Sequence, residues 1–453
     1  MTRAIQVYPS VVKSDCETEI TITSFDGLML FYDDVEYKIQ FVPMEEFDTE
    51  LDPELRLHCE DNGRKTFCVK PQNGVIRVKY FFIGEQEWTI RIWSDDYQAH
   101  FNETATKWGW AWVNKVAERG RRATIYSVGQ DLYERRPYKC DFHAHTNRSD
   151  GAQPPAVAAA CYRRRGYDVL ALTDHGIYNT ASEIKADYDA LKTSFELMTA
   201  EEVHNGYNGY FHMVSLGGSY GVSRIFREEP ERVRAEVAEL EKTVAVPEGL
   251  DKNEYLQRVW MYREIKKSGG LAVHVHPCWR TGDTYHCQTK VSRAIFANGL
   301  CDAFEIIGDN KAYDNNLQSM LFFEERAKGK KYSFIGATDC HDMFDEKGTF
   351  GRASTIVFAD KNGILPAIYD NYSVAVESTY GEAPRVYGDY RMIKYALFLM
   401  RHYYPIRDSI CFSQGDMMLE YFTGGAREEL AELITKSESR LGKYDKEFFN
   451  GKI

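Results

Sequence analysis

The sequence predicts an α/β barrel with a small all-β sandwich before it and a mostly helical extension after it. Three observations lead there. From Pro137 to about Asp360, short apolar runs alternate with helical patterns, as expected of parallel strands joined by crossover helices. Most of those runs end in His, Asp or Glu, and a parallel barrel gathers the carboxyl ends of its strands on one open face. Residues 1–98 differ: β-rich stretches such as YKIQFV, GVIRVKYFF and EWTIRIW are separated by polar turns, the pattern of a sandwich.

Composition narrows the function classes. The 453 residues carry a formal net charge of -12, with 43% hydrophobic and 27% charged residues. An acidic balance argues against a nucleic-acid binder, which normally presents a basic face. It leaves anionic substrates open, because divalent metals reverse the local field in a cleft. The start, MTRAIQVYPSVVKSDCE, lacks the apolar core of a signal peptide. The apolar patch Tyr395 to Met400 is far too short to span a bilayer. Ten cysteines are scattered without a C-x-x-C pair, so reduced thiols in a cytoplasmic protein are expected.

Between the sandwich and the barrel, residues 99–136 read as a Trp-rich helical connection whose Trp108, Trp110 and Trp112 fill a domain junction. The barrel region, 137–360, holds seven apolar runs. The first leads into CDFHAHTNRSDG, where strand alternation puts His143 and His145 on one face and a polar turn brings in Asp150. VLALT ends in Asp174-His175, FELMTA in Glu201-Glu202, and GGLAVHV in His276-Pro277. YFHMVSLGG carries His212, AFEIIGDN carries Glu305, and YSFIGAT ends in Asp339-Cys340-His341. Residues 361–453 hold helical patterns such as REELAELITKSESRL and no ligand cluster.

His143, His145, Asp150, His175, Glu202, His212, His276, Asp339 and His341 are nitrogen and oxygen donors suited to Zn, Mn or Fe. They exceed what one ion needs, and a carboxylate can bridge two. In HAHTNRSDG, LALTDH, EEVH, VHP and ATDCHD, the chain resembles the ordered motifs of the PHP (polymerase and histidinol phosphatase) superfamily. The resemblance implies a distorted seven-stranded β/α barrel and a trinuclear site. One metal would sit at His143, His145, Glu202 and Asp339, a second at Glu202, His212 and His276, and a third at Asp150, His175 and His341. A metal-bridging hydroxide would attack the phosphorus of a small-molecule phosphoester.

Departures from the family pattern leave alternatives. Glu201 stands beside Glu202 and either carboxylate could bridge; the β-branched Val203 after Glu202 favours the latter. His274 shares the face of His276 if the strand is regular. The Cys340 thiol points away from its neighbours, while His204 and His286 read as surface or substrate-pocket residues. Arg148 and Arg280 are candidate phosphate clamps, and Trp279, Tyr285 and Tyr313 candidate walls for a leaving group. Three rivals remain: carbamate or carboxyl-ester hydrolysis on the same metals, a serine hydrolase using Ser219 in Gly217-Gly218-Ser219-Tyr220-Gly221, and a non-catalytic scaffold.

Overall fold

The computed structural model describes residues 5–24, 31–45, 65–95, 121–205, 210–308, 311–345, 348–378 and 383–449. It divides into two compact units, one of residues 1–134 with 442–453 and one of residues 135–441. No helix among the described residues is long and apolar enough to cross a membrane.

The first unit contains two sheets. Strands β1 (Ile5–Tyr8), β3 (Cys16–Ser24) and β6 (Ile76–Phe82) form one. The other has the order β2-β8-β7-β4-β5, from β2 (Val11–Lys13), β4 (Tyr37–Pro43), β5 (Phe67–Val69), β7 (Gln86–Trp93) and β8 (Arg121–Val128). Alternation decides what faces inward: in β6, Ile76, Val78 and Phe82 are buried while Arg77 and Lys79 are exposed. These side chains join Ile90, Ile92 and Trp88 in one core.

The second sheet of this unit therefore includes residues 121–128, which the expected helical connection of residues 99–136 places outside it. Residues 121–128 are a strand between β2 and β7, because Ile125 and the β-branched and aromatic residues around it complete the apolar face. Trp108, Trp110 and Trp112 and the run LRLHCE lie outside the described residues. The C-terminal extension departs from its expected bounds too. Its last residues group with the first unit, where the Ser10 N–H donates to the Phe448 carbonyl (2.9 Å).

In the second unit the strands fall into two sheets. One has the order β11-β10-β9-β19-β20-β21, from β9 (Arg136–Asp141), β10 (Val169–Ala171), β11 (Glu196–Met198), β19 (Ala353–Ala359), β20 (Ser373–Glu377) and β21 (Arg385–Tyr387). The other runs β12-β13-β14-β17-β18, from β12 (Ala200–Val203), β13 (Met213–Leu216), β14 (Leu271–His274), β17 (Ala303–Ile307) and β18 (Ser333–Gly336). The run FELMTA thus becomes two strands, with the chain passing from one sheet to the other at Thr199. Two parallel bridges, Ala144 with Cys340 and His175 with Glu202, also link the sheets just beyond the ends of β9, β10 and β18. β13 runs antiparallel to both neighbours, whereas β14, β17 and β18 are parallel.

Inside, small and branched side chains such as Val169, Ala171, Val214, Val273, Ala303 and Ile335 form an apolar floor. Full burial of a Val or Ile contributes about 1.5–3 kcal/mol. A second apolar layer packs helices Lys252–Lys267, Thr289–Ala297 and Ala312–Ala327 on the sheet. After β20 and β21 the extension is helical, at Tyr390–His402, Tyr404–Thr423 and Arg427–Phe448.

Candidate metal centre

All nine predicted ligands converge at one end of the second unit, and backbone pairing sets their positions. The Asp339 N–H donates to the His143 carbonyl (2.8 Å), and the His145 N–H donates to the Cys340 carbonyl (2.9 Å). The first motif is thereby locked to the last. On the other flank, the Gly176 N–H donates to the Glu202 carbonyl (2.8 Å) and the Glu202 N–H to the Thr173 carbonyl (3.2 Å). His212 stands at the start of its strand rather than the end. It reaches the same face because β13 is the antiparallel strand.

Glu202 is central. Its Oε2 lies 3.4 Å from His143 Nε2, 3.4 Å from His145 Nε2 and 2.7 Å from His175 Nδ1. Its Oε1 lies 2.8 Å from His212 Nδ1 and 3.2 Å from His276 Nε2. Asp339 Oδ1 faces His145 (2.9 Å) and His143 (3.2 Å). Asp150 Oδ2 lies 3.4 Å from both His175 and His341. Among the described residues, five overlapping groups have donor atoms close enough to fit around an ion: His143, His145 and Asp339; His143, Glu202 and His276; His145, Asp150, His175 and His341; His175, Glu202, His204 and His212; and His212, His276 and His286.

Hydrogen bonding satisfies the cluster only in part. His145 Nε2 meets Asp339 (2.9 Å) and His276 Nε2 meets Glu202 Oε1 (3.2 Å). By contrast, His143 Nε2 and His175 Nδ1, each within ion-pair distance of Glu202 Oε2, make no hydrogen bond. Buried charge needs compensation. In the metal-free protein, burial works against protonation of His143 and His276, but Asp339 and Glu202 hold both above the usual imidazole range. His175 rises to about 10 and His341 to about 9 through nearby carboxylates, despite burial. Burial opposes ionisation of Glu202, Asp339 and Asp150, yet the imidazoles keep all three low. Divalent cations would displace the imidazole protons and neutralise the same carboxylates, so the residues present fit a metal cluster.

Two ligands sit in sparsely populated backbone conformations, His276 at φ 25° and Asp339 at φ 47°. Such geometry costs of order 1–3 kcal/mol and persists where the surroundings enforce it. It also corrects the expectation that His274 and His276 share a face. His274 turns outward instead, with Nδ1 2.9 Å from the Tyr262 hydroxyl and Nε2 3.0 Å from the Ser292 hydroxyl. It is a buried core histidine with both nitrogens partnered.

Glu201 faces away from the cluster. It accepts from the Val222 N–H at the start of helix Val222–Glu228, and burial raises its carboxyl pKa. The Cys340 side chain packs in the apolar layer with Ala144 and Leu172. Gly151 allows the first motif loop to fold back, since a Cβ there would come within 2.6 Å of the His145 backbone. Asp174 fixes that loop by accepting from the Thr146 N–H (2.8 Å) and the Ser149 hydroxyl (2.9 Å).

Glu305, noted in the sequence only as a strand residue, proves to contact two of the predicted ligands. Its carboxylate lies 2.8 Å from His143 Nδ1 and accepts from the His276 N–H (3.2 Å). Its signal was a charged residue within the apolar run AFEIIGDN, since Glu is almost never fully buried without a partner. Carboxylates behind metal-bound imidazoles fix the ring and raise its basicity. Glu305→Gln is therefore expected to lower metal affinity about 10–100-fold, read by titration of the metal-stripped protein.

His204 and His286, expected at the surface or in a substrate pocket, border the cluster. The His204 ring stacks on His212 at 4.3 Å, and the His286 ring lies 4.5 Å from His212 and 5.2 Å from His276. Burial, reinforced by neighbouring imidazoles, lowers His204 to about 3 and also holds His286 neutral. Arg148 pairs with Glu183 at 2.6 Å, half exposed. Arg280 lies on the hairpin between Cys278 and Cys287, 3.4 Å from Asp314 and over the rings of Tyr285 and Tyr313.

The serine reading does not survive the topology. Ser219 follows the carboxyl end of β13, which pairs with the amino ends of β12 and β14 and so lies opposite the cluster. Its hydroxyl donates to the Ser268 carbonyl (2.8 Å), and no imidazole partner is found for it among the described residues. The glycines serve the turn: Gly217 has φ 75°, and a Cβ on Gly218 would come 2.6 Å from the Ser268 hydroxyl. Ser219→Ala is expected to change hydrolytic turnover by no more than about twofold; a loss of several hundredfold would reinstate the nucleophile.

A cluster of imidazoles around three carboxylates fits a metal-dependent hydrolase. The chain is similar to proteins of PHP-like description. No protein-family model matches it. It is 33% identical over 91 residues to the DNA polymerase/3'-5' exonuclease PolX of Bacillus subtilis, a match spanning 18% of this chain and 16% of that protein. Among solved structures, it is similar to a two-domain protein from Bacteroides vulgatus containing a predicted PHP-like metal-dependent phosphoesterase. That likeness is 20% identical with a TM-score of 0.36, covering 53% of this chain and 65% of the other. A candidate metal-dependent phosphoesterase from Bifidobacterium adolescentis is 14% identical, with a TM-score of 0.34, over 51% of this chain and 94% of its own. An amidohydrolase from Chromobacterium violaceum, solved with bound sulfate, is 20% identical, with a TM-score of 0.30, over 46% and 89%. At these scores the likenesses carry no argument about the site, which rests on its own geometry.

Proposed function

We propose that this protein is a metal-dependent phosphoesterase acting on a small molecule at a site for two or three divalent ions. The observation that carries this reading is the position of Glu202, with one oxygen toward His143, His145 and His175 and the other toward His212 and His276. A carboxylate so placed joins adjacent metal positions. We read the strands β9, β10, β11 with β12, β13, β14, β17 and β18 as a distorted seven-stranded barrel, a reading supported by the two bridges at Ala144 and His175 that link the two sheets.

Zn, Mn or Fe ions bound here would supply an activated water and neutralise charge developing at phosphorus. The chain's own part is positioning. Glu305 and the Cys340 carbonyl hold the first motif in register, and Asp150 with His175 and His341 forms the more open position. Arg280, at the rim, is the candidate contact for phosphate. Arg148 would first have to leave Glu183. An open cavity of about 830 Å³, lined by Glu254, Arg280, Asp283, Tyr285, His286 and Gln288, reaches the cluster through His286, and it is large enough for an organic leaving group.

Elemental analysis of the metal-replete protein, joined to a panel of phosphoesters, carbamates and carboxyl esters, tests the proposal. We expect close to three ions per chain, turnover of a phosphoester, and loss of both on His143→Ala. Absence of metal after replete preparation would overturn the reading. Turnover confined to carbamates or carboxyl esters would keep the metal site and replace the substrate class.

A further inference from the structure

Next to the donors already described stands a group of three imidazoles without a carboxylate. Donor nitrogens of His212, His276 and His286 all lie within 4.8 Å of one another. His286 is not close by accident of a loose side chain. Its N–H donates to the Trp279 carbonyl (2.7 Å), the Trp279 N–H donates to the His276 carbonyl (3.0 Å), and the Cys287 N–H donates to the Pro277 carbonyl (3.1 Å). These bonds close the base of a hairpin whose arms, Arg280–Thr281 and Thr284–Tyr285, pair antiparallel. The hairpin springs directly from the His276-Pro277 turn and returns at His286.

His286 Nε2 is buried and has no hydrogen-bond partner. A buried imidazole nitrogen left unpaired is costly unless something fills the gap. His274 shows the contrast: it is another buried histidine nearby, and both of its nitrogens are partnered. Trp279 lies over the group, with ring centroids 5.5 Å from His286, 5.7 Å from His276 and 6.1 Å from His212, and so shields it from solvent.

We infer that His286 is a further metal ligand, closing a three-imidazole position with His212 and His276, and that it ties the hairpin to an ion held there. This rests on the metal-hydrolase reading and extends it to the loop that lines the cavity. Three imidazoles make an all-nitrogen set, which suits Zn or Fe far better than Mg or Ca, which prefer oxygen. Binding of the ion is coupled to the order of residues 279–286, where Arg280 and Tyr285 face the cavity.

The test uses the full-length protein, stripped of metal and reloaded with Zn²⁺ or Co²⁺. We expect amide exchange in residues 279–287 to slow on Zn²⁺ addition in the wild type and not in His286→Gln. The weakest-binding Zn²⁺ step should become at least tenfold weaker in that variant. In His286→Cys, Co²⁺ should produce a thiolate-to-cobalt charge-transfer absorption that the wild type lacks, which a fold defect cannot mimic. Metal bound with wild-type stoichiometry and affinity in His286→Gln, with no such absorption in His286→Cys, would overturn the assignment while sparing the metal site. No metal in the wild type would overturn both.

Discussion

Glu202→Gln is expected to strip at least one metal position and to lower turnover by on the order of 10³-fold or more, since metal charge stabilisation is worth several kcal/mol. Five imidazoles face this one carboxylate. The amide keeps the shape, loses the charge and puts an NH2 donor in place of one carboxylate oxygen. Elemental analysis and kcat on the same preparation provide the readout, with circular dichroism to establish folding. Glu201→Gln is the matched control. Its carboxylate serves the Val222 N–H at a helix start, so we expect a stability loss of about 1 kcal/mol with metal content intact. The reverse pattern would move the bridge to Glu201.

Arg407→Ala is expected to be among the most destabilising single changes, at about 3–5 kcal/mol. Arg407 lies in helix Tyr404–Thr423, is almost fully buried, and pairs with Asp168 while donating to the Gly166 carbonyl (2.7 Å). Asp168 in turn accepts from the Lys139 N–H (2.9 Å) and faces Arg163. Removing the guanidinium leaves Asp168 with a poorly compensated buried charge beside β9 and β10. Breaking such a pair costs far more than the pair itself contributes, which is why truncation is so damaging. Thermal unfolding should show a fall of roughly 6–15 °C; a shift under 2 °C would mean that water enters and solvates Asp168. Metal content at low temperature should be unchanged, separating this effect from that of Glu202.

The nine donors were legible because each sits in a short local pattern, such as His143 with His145 or Asp339 with His341, at the end of an apolar run. Such runs announce burial, and a polar residue at their end needs a reason. What could not be read was direction. Alternation put His274 with His276, but a positive φ at His276 turns that side chain into the cluster and leaves His274 to the helix layer. The glycine-flanked Ser219 looked exposed at a strand end, which it is, on the strand that runs the other way. Residues 121–128 read as part of a helical connection but form a strand, β8, whose place depends on partners distant in sequence. Tertiary context overrides propensity in such cases.

By itself, the sequence determined the donor chemistry, the alternation of strand and helix, and the all-β character of the first region, since these depend on residue type and period. Only the tertiary structure decided which oxygen of Glu202 faces which histidine, that Glu305 stands behind His143, and that His286 comes back to the cluster on its hairpin. Those relations join residues far apart in the chain. They are fixed by backbone pairing and by the need to satisfy buried polar groups, neither of which a one-dimensional pattern records.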